Sequence, residues 1–116
     1  MIQIYGLKNC DKCRAALRFA KSQGLDHTFH DIREESLDPR RLERWLDALG
    51  WEQLLNRKST TWRSLGGAER EDLDREKVKS LILAHPTLAK RPIIECVGQT
   101  FAGFDKARKD QLMAAI

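Results

Sequence analysis

The segment Cys10-Asp11-Lys12-Cys13 carries more chemical capacity than any other stretch of this sequence. A thiol attacks only as the thiolate, so its surroundings decide whether it is a nucleophile. The pair falls where a short alternating segment, Ile2-Gln3-Ile4-Tyr5, is broken by Gly6-Leu7-Lys8-Asn9 and a helical pattern begins. A cysteine at that helix start faces unpaired amides and the positive end of the helix dipole, and both favour thiolate. Lys8, Lys12 and Arg14 push the same way, while Asp11 opposes them. Cys13 is a helical neighbour of Cys10 at i+3, within the span that a disulfide bridges. The spacing predicts Cys10 as the attacking thiol and Cys13 as a resolving or protecting one. A Cys-x-x-Cys beside a βαβ pattern is a redox signal.

Other chemistries fit less well. After Cys13 come thirteen residues, then His27 and His30, superficially a Cys₂His₂ zinc array. The two histidines are too closely spaced and fall on a predicted strand, whereas a zinc finger places them on a helix, so no metal site is expected. They read as strand-surface or core-edge residues. Cys96, within Ile93-Ile94-Glu95-Cys96-Val97, reads as a buried core thiol. Arg91-Pro92 precedes that strand, and a cis peptide there would turn the backbone sharply toward the start of the first helix. Arg91 would then stand near Cys10, able to hold a carboxylate or an oxyanion bidentately. The alternative is a surface arginine before an ordinary trans-proline. Arg57-Lys58 and Arg63 form a second basic group, either an anion contact or a solvated face.

The elements that must position these residues follow from the hydrophobic spacing. Cys13, Ala16, Leu17, Phe19 and Ala20 line one helical stripe, which Gly24 ends. His27–Ile32 alternates as a strand. Asp38-Pro39 is an N-cap with an N1 proline, opening a helix whose core stripe is Leu42, Trp45, Leu46 and Leu49. Short helical turns are expected around Leu54-Leu55 and Trp62–Leu65, the second capped by Thr60 or Thr61. A helix from Asp74 through Val78, Leu81 and Ile82 stops at His85-Pro86. Pro92–Val97 and Gln99–Ala102 form a hairpin turning near Gly98, and Asp105 caps a last helix with Leu112, Met113 and Ile116. The order β-α-β-α-(short helices)-α-β-β-α predicts an α/β fold: a thioredoxin-like four-stranded mixed sheet, helices on both faces, interrupted by a helical insertion.

The chain has 116 residues, 41% hydrophobic and 33% charged, which suits one globular domain over 1–116. Twenty-one Lys and Arg against seventeen Asp and Glu give +4, but the two signs are interleaved, as in Glu69-Arg70-Glu71-Asp72, so no nucleic-acid stripe and no direct DNA binding are expected. No apolar run reaches transmembrane length and no signal peptide is evident, so the expected setting is a reducing cytoplasm without membrane attachment.

With these residues in hand, the chain resembles the arsenate reductase (ArsC) and Spx family, and most closely its YffB-like members. The matching segments are Ile4-Tyr5-Gly6-Leu7-Lys8-Asn9-Cys10-Asp11, Phe29-His30-Asp31, Gly50-Trp51-Glu52, Leu54-Leu55-Asn56, Thr60-Thr61-Trp62-Arg63, Lys90-Arg91-Pro92 and Gly103-Phe104. The resemblance implies a thioredoxin-like core with a helical insertion at about 37–88, Cys10 as the redox cysteine, and Arg91 as an anion-binding arginine before a cis-proline, Pro92. The family's arginine in the insertion falls near Asn56, Arg57 or Lys58. Lys8, Asn9 and Arg57 thus join Arg91 as the expected anion-binding set. Phe101-Ala102-Gly103-Phe104 offers no counterpart to the arginine that arsenate reductases carry just past the hairpin. Cys13, in turn, is an Spx-like feature on a YffB-like body.

The expected function is a monomeric thiol-disulfide oxidoreductase with glutathione as co-substrate and no tightly bound cofactor. Two alternatives accompany it: an arsenate reductase, and an Spx-like redox-sensing regulator that binds RNA polymerase.

Overall fold

The computed structural model describes residues 1–116 as two compact units, one formed by Met1–Glu35 with Arg91–Ile116 and the other by Ser36–Lys90. The first unit contains β1 (Ile2–Gly6), α1 (Asp11–Ser22), β2 (His27–Asp31), β3 (Ile93–Cys96), β4 (Gln99–Ala102) and α7 (Lys106–Ala115). Its four strands run in the order β2-β1-β3-β4. β1 and β2 are parallel, as a helix-connected pair should be, while β3 is antiparallel to both β1 and β4. This is the expected thioredoxin-like mixed sheet.

The pleat gives this sheet a distinctly apolar face. Ile2 and Ile4 of β1, Ile94 and Cys96 of β3 and Phe101 of β4 form one buried cluster with Ala16, Phe19 and Ala20 of α1 and Leu112 of α7. Both helices of this unit therefore cover the same face. On the opposite face the His30 ring stacks on Tyr5 with centroids 4.6 Å apart. His30 also bonds Gln3 Oε1 at 2.6 Å and Glu35 at 3.0 Å, so it is a satisfied core-edge residue. The hairpin leaves only Val97 and Gly98 between Cys96 and Gln99, and both take positive φ, 49° and 73°. That matches a two-residue type I′ connection, whose twist suits antiparallel strands.

The second unit is helical: α2 (Pro39–Leu49), α3 (Trp51–Leu54), α4 (Thr60–Ser64), α5 (Gly67–Arg70), α6 (Arg75–Ala84) and a 3-10 turn at Pro86–Leu88. Asp38 caps α2 by accepting from the Arg40 amide, and Asp74 caps α6 by accepting from the Lys77 amide. The cap of α4 is Ser59, whose Oγ accepts from the Trp62 amide at 3.1 Å, and not Thr60 or Thr61. Those two threonines fall inside the helix; Thr61 Oγ1 instead meets Thr87 Oγ1 at 2.6 Å. α2 packs on α3 and α6, and Leu42, Trp45, Leu46, Leu54, Val78 and Ile82 are all buried. Arg75 and Lys79 of α6 reach across to Glu43 of α2. The ends of the unit are tied by main-chain bonds, Asn56 N–H to Leu88 O and Lys90 N–H to Leu54 O. No helix is long and apolar enough to cross a membrane.

Candidate active site

β1 ends at Gly6, and after three intervening residues Cys10 is the N-cap of α1, with extended φ −96° and ψ 125°. Its carbonyl accepts the first intrahelical bond, from Arg14 N–H at 2.9 Å, and its own amide donates to Leu7 O at 3.2 Å. The turn between strand and helix is held at Lys8 from three directions. The Lys8 amide donates to Asp31 Oδ2 at 3.4 Å, its carbonyl accepts from Arg14 Nε at 3.1 Å, and its Nζ bonds Glu34 at 2.9 Å. Asp31 is buried at the end of β2, in register with Gly6, and its other oxygen accepts from the Arg33 amide at 2.8 Å. Sequence reasoning assigned Asp31 no role at the site. The signal was there: an acidic residue where a strand parallel to β1 runs out can satisfy the amides of the neighbouring turn.

The two thiols sit in opposite environments. Burial pushes the Cys10 thiol up, but the Cys13 amide and thiol, the Lys12 amide and the positive charge of Arg91 outweigh it, and the net direction is down. The Cys10 side chain closes no strict cap hydrogen bond, so the amides act on it as oriented dipoles at the helix start. Cys13 is fully buried, and burial, with the Cys10 thiol opposing its ionisation, pushes it up to about 12. Its Sγ lies against β1 where glycine leaves room: a Cβ on Gly6 would stand 2.3 Å from that sulfur. One thiol is thus prepared as a thiolate and its neighbour held as a neutral thiol.

Arg91 precedes a cis peptide to Pro92, and Pro92 O accepts from the Gly103 amide at 2.8 Å, Gly103 having φ +85°. The arginine's charge acts on both Cys10 and Cys13. The structure thus brings Cys10, Cys13 and Arg91 together. The flanking cations are otherwise engaged. Lys8 is paired with Glu34, Arg14 holds the Lys8 carbonyl and stands 3.6 Å from Asp11, and Lys12 helps the Arg108 amide to hold the Asp105 carboxyl low. Arg91, rather than the lysines, is the cation that favours the thiolate. Asn9 is exposed on the turn before Cys10. Arg57 lies in the second unit, on an exposed turn where Asn56 Oδ1 accepts from the Lys58 amide at 3.1 Å. Cys96 is buried in the sheet cluster, and burial pushes its thiol up.

A thioredoxin-like sheet whose first helix begins at a prepared cysteine defines a class, and the sequence comparisons agree with it. The ArsC family pattern matches residues 5–112, and the chain belongs to the ArsC family. An uncharacterised protein of Haemophilus influenzae is 39% identical over 106 residues, covering 91% of this chain and 93% of that one. Among solved structures, a protein named YffB superimposes with a TM-score of 0.92 at 36% identity, covering 99% of this chain and 98% of its own. An arsenate reductase (ArsC) related protein from Brucella melitensis superimposes with a TM-score of 0.75 at 40% identity, covering 97% of this chain and 93% of its own.

Proposed function

We propose that this chain is a thiol-disulfide reductase that draws its electrons from glutathione, with Cys10 as nucleophile. The observation that carries the reading is the contrast at one helix start: Cys10 favoured as thiolate beside Arg91, with a second thiol in contact. Membership in the ArsC family supports thiol-based reduction on this fold.

In the proposed cycle, the Cys10 thiolate attacks the glutathione sulfur of a mixed disulfide. A Cys10–glutathione bond forms, and the substrate leaves as a thiolate that takes up a proton. A second glutathione thiolate then attacks the bound glutathione, releasing glutathione disulfide and restoring the Cys10 thiolate. Over the cycle, one mixed disulfide and one glutathione thiol become a substrate thiol and glutathione disulfide. Arg91 holds a carboxylate of the substrate, and Lys8 and Asn9, on the turn before Cys10, are the further anion contacts of this reading. The protein would work as a cytoplasmic monomer without a bound cofactor, metal or DNA.

Arsenate reduction is the second reading, favoured by the Arg91 charge beside Cys10 and by the name of the Brucella melitensis relative. Phe101-Ala102-Gly103-Phe104, which carries no arginine, weighs against it. Turnover of the purified protein with glutathione, against a panel of glutathione mixed disulfides and with arsenate in parallel, tests both. Cys10-dependent reduction of the mixed disulfides is expected. Reduction of arsenate alone would replace the first reading by the second. No turnover, together with reversible Cys10–Cys13 oxidation and binding to RNA polymerase, would support the regulator instead.

A further inference from the structure

Charge is unevenly divided over this molecule. α1, α7 and the Asp105 cap hold seven of the Lys and Arg residues and three of the Asp and Glu, a surplus of four positive charges. The whole chain carries +4, so its remaining residues are balanced, with fourteen of each sign. Both helices cover the same face of the sheet, so their outward sides form one surface. The Lys12 charge acts on Asp105 where α7 begins, and further along Lys109 Nζ stands 5.4 Å from the centroid of the Phe19 ring.

The surplus is open to solvent. Arg18, Lys21, Lys106 and Lys109 are exposed and join no ion pair. Two of the three acids are occupied: Asp11 stands 3.6 Å from Arg14, and Asp105 accepts from the Arg108 amide at 2.9 Å. Cys10 opens α1 and so lies at one end of this surface. Arg18 is eight residues further on, about 12 Å along the axis at 1.5 Å per residue. An extended polypeptide spans that distance in about four residues.

We propose that the face formed by α1 and α7 is a docking surface for an acidic polypeptide whose cysteine, bonded to glutathione, is presented to Cys10. The inference rests on the reading of Cys10 as nucleophile and names the substrate class of that same site. The chemical step is unchanged: Cys10 takes the glutathione, and the polypeptide leaves as a thiolate that takes up a proton.

Single exposed ion pairs contribute little. Several cations of one sign on one surface act together, because their fields overlap over a Debye length of about 8 Å at physiological salt. Such a field raises the encounter rate of an oppositely charged partner and hardly affects a substrate too small to reach it. A nucleic acid fits the face less well. Three aspartates interrupt the cations, and Phe19 is buried beneath Lys109 instead of open for a base to stack on.

The test compares three glutathione mixed disulfides. One is that of 2-mercaptoethanol; the others are those of two cysteine peptides, identical except for a run of glutamates or of glutamines beginning about four residues from the cysteine. Wild type should turn over the glutamate peptide with kcat/KM about ten-fold or more above the glutamine peptide at low salt. The two should converge at 1 M salt, where the Debye length is about 3 Å. The triple variant Arg18→Glu, Lys21→Glu, Lys106→Glu should lose the preference and keep its rate on the 2-mercaptoethanol disulfide. Should that variant not fold, the salt dependence of wild type decides alone. Equal kcat/KM for the two peptides, or a preference that persists at 1 M salt, overturns this inference and leaves the Cys10 reading intact. Fluorescence anisotropy adds a binding arm, with the glutamate peptide carrying serine for cysteine set against an oligothymidylate of equal charge. Tighter binding of the oligothymidylate would give the face to nucleic acid and overturn the proposal. If none of the three disulfides is turned over, the nucleophile reading fails and the inference falls with it.

Discussion

At Cys10, burial works against ionisation while two amides, a neighbouring thiol and a guanidinium work for it, and the second group wins. Iodoacetamide alkylation of Cys10 against pH should therefore inflect below the ordinary thiol value of 9.0; an inflection at or above it would remove the case for a nucleophile. Arg91→Ala should move that inflection upward and raise KM for glutathione-bearing substrates. A charge-assisted bond to a carboxylate is worth roughly 1.5–3 kcal/mol, about ten- to a hundred-fold in binding. Arg91→Lys separates the two effects: the ammonium keeps the charge and hence the inflection, but recovers only part of KM, because it cannot make the planar two-bond contact. Equal KM for wild type and Arg91→Ala would leave Arg91 a tuning residue and not a substrate clamp. The thiol pair was legible in the sequence because its determinants are local, a strand end followed by a helix start. The behaviour of Lys8 was not, because its partner Glu34 lies 26 residues away and is delivered by the strand that follows α1.

Among the elements, the turn before Cys10 depends on a carboxylate from β2. Asp31→Ala would leave the Lys8 and Arg33 amides without their acceptor, at a cost of about 1 kcal/mol, the ordinary net worth of a hydrogen bond, since both bonds are only part-buried. Urea unfolding measures this, and a loss no larger than that of a surface substitution would show the turn to be held by Arg14 and Glu34 alone. The hairpin tip makes an opposite prediction. Val97 is a β-branched residue with φ 49° and 73% of its surface exposed, so its side chain gains little from burial while its backbone bears a left-handed strain. Val97→Asn or Val97→Gly should raise Tm, by an amount corresponding to about 1 kcal/mol. Long periodic helices and their aspartate caps could be read from the sequence, since Asp38-Pro39 and Asp74 are unambiguous starts. The Ser59-Thr60-Thr61 run could not: three adjacent hydroxyls are equivalent cap candidates, and only the approach of Thr61 to Thr87 decides among them. α5, with a single capping-box contact from Glu69 to the Gly66 amide, is too short to leave a hydrophobic period.

For the molecule as a whole, the two active-site thiols tie stability to pH in opposite senses. Cys10, lowered by folding, contributes stability that is present above the ordinary thiol value and lost as pH falls through its folded value. Cys13, raised by folding, contributes stability that is present below 9.0 and lost as pH rises toward about 12, because the unfolded chain releases that proton first. Their combined contribution is greatest near the ordinary thiol value. Denaturant midpoints at about pH 9 and about pH 11 for Cys10→Ala and for the Cys10→Ala, Cys13→Ala double variant isolate the alkaline limb, since Cys10, whose ionisation the Cys13 thiol assists, is then absent from both. The variant that keeps Cys13 should lose more stability over that interval; parallel losses would mean that Cys13 is not held as a neutral thiol.

The hollow at Gly6 binds two positions of the chain into a single evolutionary choice. With a sulfur resting where a methyl group at residue 6 would stand 2.3 Å away, no side chain can be acquired at 6 while a thiol remains at 13. The order of substitution is therefore directional: position 13 must shrink first, and only then is position 6 free to change. Gly6→Ala alone should be costly and Gly6→Ala in a Cys13→Ala background much less so, the Cβ of residue 13 at 3.3 Å then being the nearest neighbour, a coupling that a double-mutant cycle reads as non-additivity. A lineage that has filled position 6 would then find its second cysteine hard to regain, since the space that sheltered it is occupied.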